Sequence, residues 1–323
     1  MKSNLSYHYF PNNILYKEAV LSLIEMIKKN EERKLKSLIL LSGGSVINSY
    51  PYLLDYLKEN PGLSKYMAFA QVDERFQPHG DEKNVNAEEI RKTGLWEVCE
   101  KYGIPYFLVS QEKTLTSAAN RYNQLLTKLF CEYDRKIAVL GIGADGHTAG
   151  LLPGYSVFWN KESGKSSVPN FSDSHGFTRN PKFFGKVSDH KTFGPGQHLV
   201  RSFKIGTFGF RNKGRKIVCQ LLSSVFKKGT FGFTEKVDVP FPKKKYVIGY
   251  ENRGIFPQRI SITPYAINQL DCAYVLASGE EKKDILAQFI SNENSSCLND
   301  FPTGILYDVP QVEVFSDQVM SSS

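Results

Sequence analysis

Residues 137–154 read IAVLGIGADGHTAGLLPG. An apolar run (Ile137, Ala138, Val139, Leu140) leads into a glycine-rich turn that carries Asp145, Gly146 and His147 in succession. A short apolar run bounded by glycine reads as a strand buried on both faces. In an open α/β sheet the ligand sits beyond the carboxyl ends of the strands, which is where these three residues fall. A histidine there is placed for proton transfer near neutral pH. The plainer reading is a strand-to-helix turn that happens to contain a His.

The same grammar repeats on either side. Upstream, Ile14, Leu15, Ala19, Val20, Leu23, Ile24 and Ile27 recur at helical spacing and predict an amphipathic helix. Residues 38–41 predict a buried strand that runs into Ser42-Gly43-Gly44-Ser45, followed by a helix over 46–57. Strand, glycine turn, helix is an arrangement that points backbone N–H groups at an anion. Residues 67–72 predict a strand that delivers Asp73, Glu74 and Arg75. A polar loop, a helix over 86–99, a strand over 104–109 and a helix over 115–129 complete the first half. Downstream, 246–250, 259–263, 272–277 and 312–315 read as strands. Pro264 opens a short helix, 281–290 is helical, and 302–307 is a short helix. Alternation of this kind predicts an α/β fold, a Rossmann-like, mainly parallel sheet with helices on both faces.

Residues 160–245 break the pattern. They are rich in Gly, Ser, Lys, Phe and Pro, and Thr-Phe-Gly occurs three times at uneven spacing, so no solenoid repeat is present. Here 18 Lys and Arg stand against 5 Asp and Glu; elsewhere the counts are 23 and 28. The net charge of +8 therefore belongs to one segment and not to the whole chain. The segment reads as a poorly ordered insertion within a single catalytic domain made of 1–159 and 246–323. Two other readings stand beside it, non-native coding sequence and a basic appendage whose Lys, Arg and Phe would suit nucleic acid. No apolar run spans a bilayer, and the N-terminus lacks the apolar centre of a secretory signal. The five scattered cysteines show no CxxC pair, which argues against a zinc site or a disulfide framework and fits a reducing, cytoplasmic setting.

Four strand ends thus carry polar or glycine-rich groups: SGGS at 42–45, DER at 73–75, GADGHT at 143–148 and GEEK at 279–282. At successive turns they converge on one edge of a sheet. With Asn86, Arg91 and PQRISIT at 257–263, they resemble, in order, the signature of 6-phosphogluconolactonases. The resemblance covers roughly residues 14–159 and 246–316. The related glucosamine-6-phosphate deaminases carry a Tyr after Asp-Glu and an acidic residue shortly after the His. This chain has Arg75 and then, after His147-Thr148, Ala149-Gly150-Leu151-Leu152-Pro153.

The resemblance implies hydrolysis of 6-phospho-D-glucono-1,5-lactone, a sugar phosphate lactone of the pentose phosphate pathway. Such an ester needs an activated water and a site for the developing oxyanion. His147 is the candidate base, with Asp73 or Asp145 orienting its ring. Arg75 stabilises the oxyanion or holds hydroxyls; its plainer reading is an ion pair with Glu74 or another acid. The phosphate falls to the Gly43, Gly44 and Ser45 amides with Arg259 and Lys282, and Gly143 joins the substrate-contacting set. Asn86 contacts the sugar or caps the following helix. Neither cofactor nor metal is expected, and the chain is expected to act as a monomer or small homo-oligomer. The departures are Val46-Ile47 after SGGS, Val85 before Asn86, a longer loop from Pro78, and the basic insertion. The alternatives are a deaminase/isomerase, or a non-catalytic protein that binds sugar phosphate or nucleic acid.

Overall fold

Strands β2 (Ser37–Leu41), β3 (Met67–Gln71), β6 (Arg135–Gly141), β9 (Cys272–Ala277) and β10 (Gln311–Ser316) are the apolar runs of the sequence. In the computed structural model, which describes residues 4–77, 85–159, 245–291 and 297–320, they form the middle of a seven-stranded parallel sheet. Its order is β1-β10-β9-β6-β2-β3-β5. β1 is Asn4–Tyr9, β4 is Asp73–Arg75 and β5 is Tyr106–Phe107. The basic segment read over 160–245 lies outside the described residues, Lys245 excepted, as do 78–84 of the polar loop.

Successive residues of a strand point to opposite faces, and each face has its own core. Leu38, Leu40, Ala138, Leu140, Ala273 and Val275 feed one cluster. Ile39, Leu41, Ile137, Val139, Cys272 and Tyr274 feed the other. The second face is covered by α1 (Asn12–Glu32), α2 (Tyr50–Glu59), α3 (Asn86–Lys92) and α4 (Leu95–Tyr102). The first is covered by α5 (Leu115–Glu132), α6 (Pro264–Ile267), α7 (Lys283–Ser291) and a second, smaller sheet. α1 buries the predicted stripe except Ile14, which faces outward. α5 starts at a capping box in which Thr114 and Ser117 satisfy each other's backbone amides.

The smaller sheet departs from the expected βαβα scheme. β7 (Val247–Glu251) and β8 (Gln258–Ile262) form an antiparallel hairpin, and β4 pairs antiparallel with β8. Six residues separate β7 from β8, too few for the crossover that parallel strands require. The DER triplet is therefore a strand of the second sheet and not the tail of β3. The chain changes sheets at Val72, whose N–H donates to Leu41 O at 3.0 Å and whose carbonyl accepts from Ile262 N at 3.0 Å.

Four other expectations shift. The helix over 86–99 breaks at Gly94, which has φ +86° and separates α3 from α4. The helix over 46–57 begins as a 3-10 turn, Gly44–Ser49, before α2. The segment 302–307 is a 3-10 turn, Pro302–Asp308. The strand over 104–109 shrinks to two paired residues, and β1 was not anticipated at all.

Asn123 of α5 ties the second sheet down. Its Oδ1 accepts from Tyr246 N at 2.8 Å and Val247 N at 3.0 Å where β7 begins. Asn123→Ala removes the acceptor both amides use, and should lower the unfolding free energy by about 1–3 kcal/mol. Urea denaturation checks this; an unchanged midpoint would mean that the second sheet is held elsewhere.

Candidate active site

The sheet order reverses between β2 and β6: the chain runs outward from β2 to β3 and β5, then returns to β6 on the other side. A crevice opens at such a switch point, and the two strands that flank it end in SGGS and GADGHT. Leu41 is paired with Val139, so the two turns leave the sheet side by side.

Beyond β6 the turn is tightly wound. Gly143 N donates to His147 O at 2.8 Å, and Gly146 N donates to Gly143 O at 2.9 Å. His147 Nδ1 lies 2.5 Å from Asp145 Oδ1, which also accepts from the His147 amide at 3.1 Å. Of the two acids expected to orient the ring, Asp145 is therefore the one bonded to it. With Nδ1–H donated there, Nε2 is the acceptor nitrogen. The hydrogen bond from His147 holds the Asp145 carboxyl down at about 2, against its desolvation. Gly143 is required by space: a Cβ there would sit 2.0 Å from His147 Nδ1. Gly146, at φ +83°, has its open side filled by Phe301 and by Ile285 of α7.

The second sheet clamps this turn from below. Gly150 N donates to Ser261 Oγ at 3.0 Å, and the Tyr250 hydroxyl donates to Gly150 O. Ser261 is in register with Asp73. Asp73 is buried; burial pushes its carboxyl up, while Arg259, His147 and Arg75, in that order, pull it down, helped by a hydrogen bond from the Asn86 side chain. Asp73 thus interacts with all four side chains.

Arg75 and Arg259 occupy directly opposed positions on β4 and β8. Arg75 Nη1 is 2.8 Å from Glu89 Oε1, and its guanidinium lies 4.3 Å over the Phe256 ring. Among the described residues the acid that pairs with it is thus Glu89 of α3, and not Glu74. Arg259 Nε is buried with no hydrogen-bond partner among the described residues. Two cations thus face each other, one of them with a buried donor that finds no partner among the described residues, an arrangement that would suit an anion.

Asn86 is the first residue of α3, and Val85, at the N-cap, offers no side-chain cap. The capping role expected of Asn86 belongs instead to Glu74, whose carboxylate accepts from the Asn86 and Ala87 amides at 2.6 and 2.9 Å. The Asn86 side chain, freed from that role, donates to Asp73 O at 3.2 Å and lies against Gly43, where a Cβ would come 2.5 Å from Asn86 Oδ1. Gly44 takes the left-handed conformation, φ +68°, and Gly43, Gly44 and Ser45 open the 3-10 turn, with Gly44 and Ser45 exposed. Buried Tyr50 braces the turn by donating its hydroxyl to Ser42 O at 2.5 Å. Lys282 ends a 3-10 turn after β9, at the same edge of the sheet.

Glu74, Ser261 and Tyr250 are the contributors that motif reading passes over. For Glu74 the signal was present: in a strand that carries Asp73 and Arg75 on one face, Glu74 must point the other way.

A family described as glucosamine-6-phosphate isomerases/6-phosphogluconolactonase matches residues 12–179, over half of the chain. The matched range takes in SGGS, DER, Asn86 and the His147 turn; Arg259 and Lys282 lie beyond it. No curated protein matches the chain. Among solved structures the fold is similar to a 6-phosphogluconolactonase from Thermotoga maritima. That match has 17% identity and a TM-score of 0.55, and covers 97% of this chain and 99% of that one. A 6-phosphogluconolactonase from Trypanosoma brucei is similar at 15% identity and a TM-score of 0.58, covering 98% and 96%. A monomeric glucosamine-6-phosphate deaminase is similar at 16% identity and a TM-score of 0.52, covering 98% and 97%. No helix among the described residues is long and apolar enough to cross a membrane.

The Asp145–His147 pair has a direct consequence. The folded pKa of Asp145 lies below its usual 3.8, so the pairing stabilises above that value and is lost as pH falls through about 2. In His147→Ala the carboxyl titration followed by 13C NMR should return towards 3.8. A midpoint that stays near its wild-type position would show that the imidazole does not hold Asp145 down.

Proposed function

The chain belongs to the glucosamine-6-phosphate isomerase/6-phosphogluconolactonase family, and on that premise we propose that it hydrolyses 6-phospho-D-glucono-1,5-lactone to 6-phospho-D-gluconate. The observation that carries this reading is the His147–Asp145 pair set beside buried Asp73 and its two arginines. A lactone carbonyl is already electrophilic, so the chemistry asks for one base, one oxyanion site and a hold on the phosphate.

In this mechanism His147 Nε2 takes a proton from water as the water oxygen adds to C1. Asp145 keeps the ring in the tautomer that leaves Nε2 basic and stabilises the imidazolium that forms. Arg75 meets the negative charge on the former carbonyl oxygen. The bond from C1 to the ring oxygen then breaks, and that oxygen receives the proton from His147, leaving a hydroxyl and a carboxylic acid that ionises in water. Arg259, with the amides of Gly43, Gly44 and Ser45, binds the phosphate, and Lys282 supplies a further cation at the same sheet edge. Asn86 and the Gly143 backbone position the sugar. Asp73 holds the arginines and His147 in one electrostatic cluster.

The isomerase branch of the family acts by proton abstraction from an amino sugar phosphate. Here the residues after His147, Thr148 to Pro153, include no carboxylate, and an arginine follows Asp73-Glu74; both favour hydrolysis. Ammonia release from glucosamine 6-phosphate by the wild type would reverse that preference.

Lactone hydrolysis, measured on freshly generated substrate and corrected for spontaneous opening, should be well above background. In His147→Ala kcat should fall by about a hundredfold or more, the scale of a lost general base. A folded wild type with no activity would sink the reading. Arg259→Ala should raise KM by roughly tenfold or more through the loss of a charge-assisted contact. The same variant should leave turnover of unphosphorylated gluconolactone as it was. Equal losses on both lactones would place Arg259 away from the phosphate.

A further inference from the structure

Glu74 stands between two site residues, yet its side chain turns away from the crevice and is fully buried. Four donors surround its carboxylate. Oε1 accepts from Arg75 N at 2.7 Å and Asn86 N at 2.6 Å. Oε2 accepts from Ala87 N at 2.9 Å and Gln71 Nε2 at 3.0 Å. The Gln71 amide cannot flip to offer its oxygen, because that oxygen accepts from Val109 N at 2.6 Å. Both carboxylate oxygens are thus committed, each to two donors. An amide nitrogen in place of either oxygen would face two donors with nothing to give a proton to.

These donors belong to elements that the chain folds separately: the end of β3, the body of β4 and the start of α3. One carboxylate joins them. Its shortest contact, to Asn86 N, is what holds the Asn86 side chain where a Gly43 Cβ would otherwise be and within reach of the Asp73 carbonyl.

We propose that Glu74 is a positioning residue that sets the distance between the SGGS turn and Asp73 by fixing Asn86. It touches no substrate, and a proton need never move through it. It acts by keeping the first turn of α3 pressed between two parts of the site that come from different sheets. The proposal rests on the lactonase reading for its assay and on the geometry for its substance.

The test is a double-mutant cycle with Glu74→Gln and Asn86→Ala, read as kcat and KM for lactone hydrolysis. Glu74→Gln should raise KM by roughly tenfold, the worth of about one charge-assisted hydrogen bond, with kcat within about twofold of wild type. The double variant should be no worse than the weaker-binding single variant, because both remove the same constraint. Multiplicative effects in the double variant, or a loss of kcat with KM unchanged, would overturn the proposal; the latter is what a merely structural staple gives. If Glu74→Gln does not fold, Glu74→Asp keeps the charge but shortens the reach, and should show the same rise in KM to a smaller degree. Calorimetric binding of 6-phosphogluconate carries the comparison without turnover. A wild type that binds but does not hydrolyse would sink the lactonase reading while Kd still judges Glu74; a Kd equal in wild type and Glu74→Gln would overturn the proposal alone.

Discussion

The described fold depends on one change of direction. At Val72 the chain leaves a parallel sheet and enters an antiparallel one, and the bend is held by backbone bonds to both. A bend of this kind strands polar groups in the interior, since neither sheet's ladder reaches all of them. The side chains of Gln71 and Glu74 close that account. Gln71 serves Val109 on one side and Glu74 on the other, and Glu74 serves the amides that β4 and α3 leave open. Burial pushes the Glu74 carboxyl up to about 7 even against those donors. The bend therefore keeps a costly group in the interior, and in return it brings Asp73 and Arg75 across the crevice towards the β6 turn.

How much of this is legible in the sequence depends on how local its cause is. The strands buried on both faces announce themselves, because every residue of 38–41 or 272–277 must be apolar to suit one core or the other. The turns at SGGS and GADGHT are equally plain, since glycine is demanded there by positive φ at Gly44 and Gly146 and by the His147 ring against Gly143. β1 is not plain. It is an edge strand whose one partner, β10, lies at the far end of the chain, and its alternation of Leu5 and Tyr7 with Ser6 and His8 is too short to stand out. The antiparallel hairpin was legible in its parts but not in its pairing. A six-residue connection between two strands excludes a crossover, and that spacing is a stronger guide than the alternation of the surrounding chain.

The site divides the same way. Asp145, His147, Asp73, Arg75 and Arg259 could be picked out by residue type at strand ends, and the fold brings three of them, Arg259, His147 and Arg75, to bear on Asp73. What type and position could not supply was the allocation of partners. Asp145 and Asp73 were equal candidates to orient the imidazole; the two-residue spacing of Asp145 and His147 in a tight turn gives the nearer acid the bond. Asn86 looked like a cap because it opens a helix. The carboxylate of Glu74, on β4, takes that task, and only the placement of β4 beside the start of α3 reveals it.

The second sheet also explains why the His147 turn needs no helix directly after it to hold it. In a simple doubly wound sheet, the helix that follows a strand fixes the loop between them. Here the turn runs on to Ala149, which sits at φ +53°, and Gly150, and these are caught between Ser261 and Tyr250. Gly150 is bare because a Cβ would come 2.7 Å from that of Ser261. The same strand, β8, carries Arg259 two residues away on the same face, opposite Arg75. One short strand thus fixes the loop that bears the imidazole and presents the cation beside it. Repulsion between the facing arginines is offset by Asp73 and Glu89, yet Arg259 keeps a buried donor with no partner among the described residues. Such a donor costs free energy until an acceptor arrives. A scaffold that ties the His147 turn and Arg259 to one strand keeps their separation fixed, which is what the proposed hydrolysis asks of its base and its phosphate-binding cation.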